Sequence, residues 1–131
     1  MSKEFLFSFK VYYEDTDAGG VVYYANYLKF LERARTEMIS SIGLSNKKLL
    51  DDYNVLIIVK SCKIEYKKPI ILEDIIVVKS KIKSMSRSSF VMQQIIEKDR
   101  NLMSEAEIVL VTVNKSGKPV KIPNILKEKL N

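Results

Sequence analysis

Apolar and polar residues alternate at the start of the chain, Phe5, Phe7, Phe9 and Val11 against Leu6, Ser8 and Lys10. This predicts a strand with one aromatic face, running to about Tyr13. Residues 14–25 read as a loop with a short helical turn. The period then changes: Tyr27, Leu31, Ala34, Met38 and Ile42 recur at spacings of three and four, and Leu28 and Ile39 broaden the stripe. That is the apolar face of a long helix over 27–42, with Asn26 as its N-cap and Gly43 just past its end. A capping box is missing, because Lys29 stands at the third position. Ser45 caps a second, short helix from Asn46 to Asp52, and Asn54 ends it.

Everything after Asn54 has the period or composition of strands. The predicted strands are Val55 to Tyr66, closed by Lys67-Lys68-Pro69; Ile75 to Lys83; Ser88 to Lys98; and Leu102 to Asn114. Ser84 to Arg87, Asp99-Arg100-Asn101 and Lys115-Ser116-Gly117 are the turns. In the tail, Asn124 caps a final helical turn or two. Strand, helix and four further strands make an α+β domain with an antiparallel sheet covering the helix. Val55, Ile57 and Val59 oppose Leu56 and Ile58, and Val109, Val111 and Val113 oppose Ile108 and Leu110, so two segments are apolar on both faces. One helix covers only one face of a sheet, so oligomerisation is expected, most simply a two-fold dimer.

The 131 residues form one domain, 1–131, with no repeat or low-complexity linker. Cys62 is the only cysteine and histidine is absent, which removes disulfides within the chain, cysteine-built metal sites and every triad that uses His. No metal site is expected: Glu14, Asp15 and Asp17 supply too few oxygen ligands for a dedicated cage. Met1 to Phe9 make no secretory core, and no run approaches the roughly 18 apolar residues of a membrane span. A cytoplasmic location without an integral membrane segment is the default. The net charge of +6 is uneven: residues 1–53 hold seven basic and eight acidic side chains, residues 54–131 fifteen and eight. That suits either an anionic partner or a solvated lysine-rich surface. Nucleic acid is the weakest such partner, because the lysines are dispersed and no recognition motif accompanies them.

The candidate chemistry lies between the first strand and the long helix. Asp17 is followed by Gly19 and Gly20 and then by the helix start. A carboxylate can activate water or attack an acyl carbon, while free N–H groups at a helix start can hold a developing oxyanion. The plainer role for Asp17 is an Asx-turn. Asp15 shares the parity of Asp17 if the strand persists, and would then tune its pKa. Glu32 and Arg35 are placed to pair on the helix. Tyr12, Tyr13, Tyr23, Tyr24 and Tyr27 either line a pocket or fill core and interface. Cys62 reads as a small buried hydrophobe.

The segment Val11-Tyr12-Tyr13-Glu14-Asp15-Thr16-Asp17-Ala18-Gly19-Gly20-Val21-Val22-Tyr23, with Asn26-Tyr27 and Glu32-Arg33-Ala34-Arg35, resembles the hotdog-fold acyl-CoA thioesterases of the 4-hydroxybenzoyl-CoA thioesterase class, in particular the Tol–Pal-associated branch. Ile64 to Pro69, Leu72-Glu73-Asp74, Ala106 to Val113 and Gly117 to Pro123 extend the likeness over nearly the whole chain. The resemblance implies a long helix wrapped by a five-stranded antiparallel sheet, and dimers joined edge to edge with active sites at the interface, some pairing into tetramers. It implies catalysis by Asp17 and carbonyl binding by the backbone of Gly20, Val21, Val22, Tyr23 and Tyr24. Asp15, Tyr13 and the Tyr24 side chain are candidates for tuning or for the pocket. Lys67, Lys68, Arg87, Lys118 and Lys121 are candidates for the phosphates of coenzyme A, which enters as part of the substrate and not as a separate cofactor. The substrate partner is an acyl-CoA or acyl-carrier-protein thioester. The sequence departs from the branch at Tyr24, where a histidine usually stands. A non-catalytic acyl-binding or scaffold protein on the same fold is therefore the alternative to an enzyme.

Overall fold

The structure, a computed structural model, describes residues 3–131. Strand β1 (Glu4–Lys10) leads through a single 3-10 turn (Tyr13–Asp15) to helix α1 (Asn26–Ser41) and the short helix α2 (Asn46–Tyr53). Strands β2 (Leu56–Tyr66), β3 (Ile75–Met85), β4 (Ser89–Lys98) and β5 (Asn101–Val113) follow, and helix α3 (Asn124–Leu130) closes the described chain. The five strands form one antiparallel sheet in the order β1-β3-β4-β5-β2, which leaves β1 and β2 at its edges.

The inner face of the sheet packs on α1. Ile76, Val78 and Ile82 of β3, Phe90, Met92 and Ile96 of β4, and Ala106, Ile108 and Leu110 of β5 are buried with Tyr27, Phe30, Leu31, Ala34, Met38 and Ile39 of the helix. The expected helical stripe is thus present with two changes. Phe30 joins it, and Leu28 turns outward at 48% exposure. This is the hotdog architecture, a long helix held in a curved antiparallel sheet.

Two register shifts explain why the strand periods are blurred in the sequence. Between Val59 and Ser61 the pairing of β2 with β5 slips by one residue. Ile57 and Val59 before the slip, and Cys62, Ile64 and Tyr66 after it, therefore all face inward despite opposite parity, opposite Thr112, Leu110, Ile108, Ala106 and Ser104. Between Ile82 and Ser84 the same happens in β3, which runs on to Met85 instead of turning at Ser84. The hairpin after β4 is shorter than expected. Asp99 and Arg100 take φ of 49° and 66°, the pair of left-handed residues that a two-residue turn needs, and Asn101 already belongs to β5.

Both proposed asparagine caps are corrected. Asn26 is the first helical residue, after Ala25, and Asn124 is the first residue of α3, after Pro123; neither helix has a side-chain cap. Ser45 does cap α2, its hydroxyl accepting the Lys48 N–H at 2.9 Å, and Asn54 ends that helix in the left-handed conformation, φ 53°. Cys62 is exposed rather than buried, because β2 is an edge strand whose outer side has no neighbour in the single chain. Among the described residues no helix is long and apolar enough to cross a membrane.

Candidate active site

The first strand stops at Lys10 because the chain then bonds to the β2–β3 connection. The Val11 N–H donates to the Asp74 carbonyl at 2.9 Å, and the Val11 carbonyl accepts from the Glu73 N–H at 3.0 Å. The turn that follows separates the two carboxylates. Asp15 is buried, and its Oδ2 accepts the Tyr12 N–H at 2.9 Å. Asp17 is exposed, and its Oδ1 accepts the N–H groups of Gly19 at 2.8 Å and Val21 at 3.2 Å. Asp15 therefore does not share a strand face with Asp17, since strand geometry ends before either residue. Asp15 closes a turn. Asp17 makes the Asx-type bonds of the plainer reading, yet its Oδ2 keeps no partner among the described residues.

Gly19 suits this arrangement, because a Cβ there would stand 3.3 Å from Asp17 Oδ1 and crowd the carboxylate. Gly20, at φ 77°, reverses the chain where a side chain would be strained. The return strand then pairs with the outgoing one. The Asp17 N–H donates to the Val21 carbonyl at 2.8 Å, Thr16 bridges Val22, and the Tyr23 N–H donates to the Asp15 carbonyl at 3.2 Å. On its other side the loop bonds to residues before β3, Val22 N–H to the Ile70 carbonyl at 2.8 Å and Leu72 N–H to the Gly20 carbonyl at 2.9 Å.

These bonds narrow the expected carbonyl-binding backbone. Gly20, Val21 and Tyr23 spend their N–H groups inside the loop, on Asp17 O, Asp17 Oδ1 and Asp15 O respectively, and Val22 spends its own on Ile70 O before β3. Asn26 and Tyr27 spend theirs on the carbonyls of Tyr23 and Tyr24. Tyr24 and Ala25 are left with N–H groups that have no partner among the described residues. Ala25 was not singled out in the sequence, where nothing marks which N–H groups the loop consumes. The small hairpin ties the two segments together: the Asp15–Tyr23 bond joins the residue two before Asp17 to the residue just before Tyr24.

The Tyr24 ring lies 4.8 Å from that of Tyr23 and edge-on to Tyr66 at 6.4 Å. With Val22, Tyr27, Tyr66, Lys67, Lys68 and Pro69 it lines an open cleft of about 300 Å³. Tyr13 is 81% exposed and lies outside that cleft. Tyr27 is core, as its place in the stripe requires, and burial pushes its hydroxyl pKa up despite a hydrogen bond with the Ile70 backbone.

Two groups placed to pair directly take other partners. Arg35 does not pair with Glu32: its Nη1 donates to Gln94 Oε1 at 3.0 Å, while Glu32 accepts the Thr36 hydroxyl at 3.0 Å. Burial lowers the Arg35 pKa, and nearby Glu32 offsets part of that. Gln94, wholly buried, also donates to the Leu31 carbonyl at 3.0 Å and to Ser80 Oγ at 2.9 Å. It was missed, although a glutamine on the inward parity of Phe90, Met92 and Ile96 is a visible signal.

The five basic candidates likewise do not form one patch within a chain. The backbone N–H groups of Lys67 and Lys68 bond to the Met103 carbonyl near the start of β5, whereas Arg87, Lys118 and Lys121 surround its far end, through Ile122 and Val120. Met103 and Thr112 are nine residues apart along β5, about 30 Å at the usual rise. Lys67 is also paired with Glu65 at 2.8 Å, which raises the lysine pKa and lowers that of the carboxyl.

A long helix in an antiparallel sheet, with a carboxylate and free N–H groups at the helix start, defines a hotdog protein with the makings of an acyl-transfer site. The thioesterase-like superfamily matches this chain over residues 11–130, and the chain belongs to that family. It is 42% identical to the acyl-CoA thioester hydrolase YbgC of Escherichia coli over 106 residues, 80% of this chain and 78% of that protein. It is 35% identical to the acyl-CoA thioesterase YbgC of Haemophilus influenzae over 124 residues, 94% and 91% of the two chains. Among solved structures, a probable thioesterase from Bartonella henselae superposes with a TM-score of 0.89 at 29% identity, covering 92% of this chain and all of that one.

Proposed function

We propose that this protein hydrolyses acyl-CoA thioesters, adding water across the acyl–sulfur bond to give a carboxylic acid and the free thiol of coenzyme A. The observation that carries the reading is the pairing, at one loop, of a carboxylate with an uncommitted oxygen and two uncommitted backbone N–H groups. The thioester carbonyl accepts from the N–H groups of Tyr24 and Ala25, which stabilise the oxyanion. Asp17 Oδ2 either takes a proton from the attacking water or bonds to the acyl carbon, expelling the thiolate and leaving an anhydride that water then cleaves. The N–H bonds of Gly19 and Val21 to Oδ1 fix the carboxylate without occupying its second oxygen. The names of the YbgC relatives support the substrate class. This reading places the protein in the cytoplasm with its substrate.

The working unit is a homodimer joined through β2. Its outer edge is unpaired, and it exposes Leu56, Ile58, Val59 and Tyr66, a long apolar edge of the kind that natural proteins cover. Antiparallel pairing of two β2 strands about a two-fold axis brings the end of one strand to the start of its copy. Lys67 and Lys68 then approach Lys118 and Lys121 of the partner subunit, because β2 begins opposite the end of β5. The basic residues separated within one chain thereby become a phosphate site between two. Release of free thiol from a panel of acyl-CoA and acyl-carrier thioesters tests the reading. Binding of acyl-CoA without thiol release would establish the acyl-binding alternative instead.

A further inference from the structure

The two halves of the site come from different parts of the loop, and one side chain spans them. Asn26, the first residue of α1, donates from Nδ2 to the Asp15 carbonyl at 2.8 Å, and its own N–H donates to the Tyr23 carbonyl at 2.8 Å. The Asp15 carbonyl also accepts the Tyr23 N–H at 3.2 Å, so both its lone pairs are used. One end of this bracket lies two residues before Asp17. The other encloses the peptides whose N–H groups, Tyr24 and Ala25, remain free.

We infer that Asn26 is a positioning residue for hydrolysis, setting the distance between the Asp17 carboxylate and the carbonyl-binding N–H groups. The inference rests on the site reading given above. Geometry and chemistry favour this role over helix capping, because the amide is directed away from the helix's own N–H groups toward the preceding loop. An acceptor side chain at position 26 could not make the bond, since the Asp15 carbonyl has nothing to donate. Tyr23, on the return strand, reaches the same carbonyl by the longer bond alone, and the loop between them turns on Gly19 and Gly20, which give it no side-chain support.

Asn26→Ala and Asn26→Asp test this together. The aspartate keeps the size of asparagine and adds a negative charge to the first helical turn, which favours the helix, so loss of folding does not explain its effect. In both variants kcat should fall about tenfold or more while KM stays within about twofold, as expected when reacting groups are displaced and binding is not. Independently of turnover, exchange of the Tyr23 amide should quicken about tenfold in Asn26→Ala, with the Ile108 amide in the sheet centre unchanged. Wild-type kcat together with wild-type Tyr23 exchange would overturn the inference. So would equal acceleration at Tyr23 and Ile108, which would make Asn26 a contributor to global stability only. If the wild-type protein releases no thiol, the hydrolysis reading falls first, and Tyr23 exchange alone then decides whether the bracket holds the loop.

Discussion

At the scale of single residues, the loop before α1 shows how little of a site is visible as residue type and how much as hydrogen bonding. Asp17, Gly19 and Gly20 were legible as a carboxylate beside a sharp turn. Asp15, expected to share a face with Asp17 and tune it, does not, because the 3-10 turn over Tyr13–Asp15 buries one carboxylate and leaves the other exposed. The free donors at Tyr24 and Ala25 emerge only after the N–H groups of Gly20 to Tyr23, and of Asn26 and Tyr27, have been assigned partners. Gly20→Ala should destabilise the protein by about 1–2 kcal/mol, the cost of a Cβ in the left-handed region, measurable by urea unfolding at equal dimer concentration. Cys62 gives a prediction about pH. Partial burial pushes its thiol pKa up, and Arg35 only partly opposes this. A raised pKa means less thiolate at any pH below it, so alkylation by iodoacetamide at pH 7 should be slower than for a free cysteine peptide and should climb as the solution becomes more alkaline.

At the scale of elements, the helix and the strands were readable because burial follows a period, and the errors fall where the period breaks. The one-residue slips move inward positions from odd to even numbers in β2 and from even to odd in β3, a change that mimics two-faced burial in a linear sequence. The edge position of β2 could not be read from its composition, because Val and Ile suit an edge that a second copy covers as well as they suit a buried centre. Gln94 ties sheet to helix in the middle of this packing, satisfying the Leu31 carbonyl, Ser80 and Arg35. Gln94→Leu keeps much of the volume but removes an acceptor and a donor from a buried network. Thermal or urea unfolding should report a loss of about 1–3 kcal/mol, the usual cost of stranding buried polar groups. Unaltered stability would mean that water replaces the amide.

At the scale of the whole molecule, a single chain exposes Asp17, holds an open tyrosine-lined cleft and divides its basic residues between two ends of β5. The β2-mediated dimer proposed above would bring the two basic groups together and cover the apolar edge. Light scattering at micromolar concentration should give at least twice the chain mass of 15.1 kDa. Replacing exposed Ile58 and Val59 with lysine should convert the dimer to monomer and abolish thiol release. Single-chain stability should change little, because exposed apolar side chains replaced by charges usually alter a monomer by no more than about 0.5 kcal/mol each. A dimer that survives both lysines would place the interface elsewhere.

The proposed hydrolysis rests most on Asp17, and one comparison tests it: turnover of a good acyl-CoA substrate by Asp17→Asn against wild type, with the oligomeric state verified in both. Asparagine retains the oxygen that accepts from Gly19 and Val21 but loses basicity and nucleophilicity. Turnover should fall by roughly 10² or more, the scale of a general base, while binding of a non-hydrolysable acyl-CoA analogue should change little, because the proposed site holds its carbonyl by the backbone of Tyr24 and Ala25. Near wild-type turnover in Asp17→Asn would contradict the account and move the chemistry to another group.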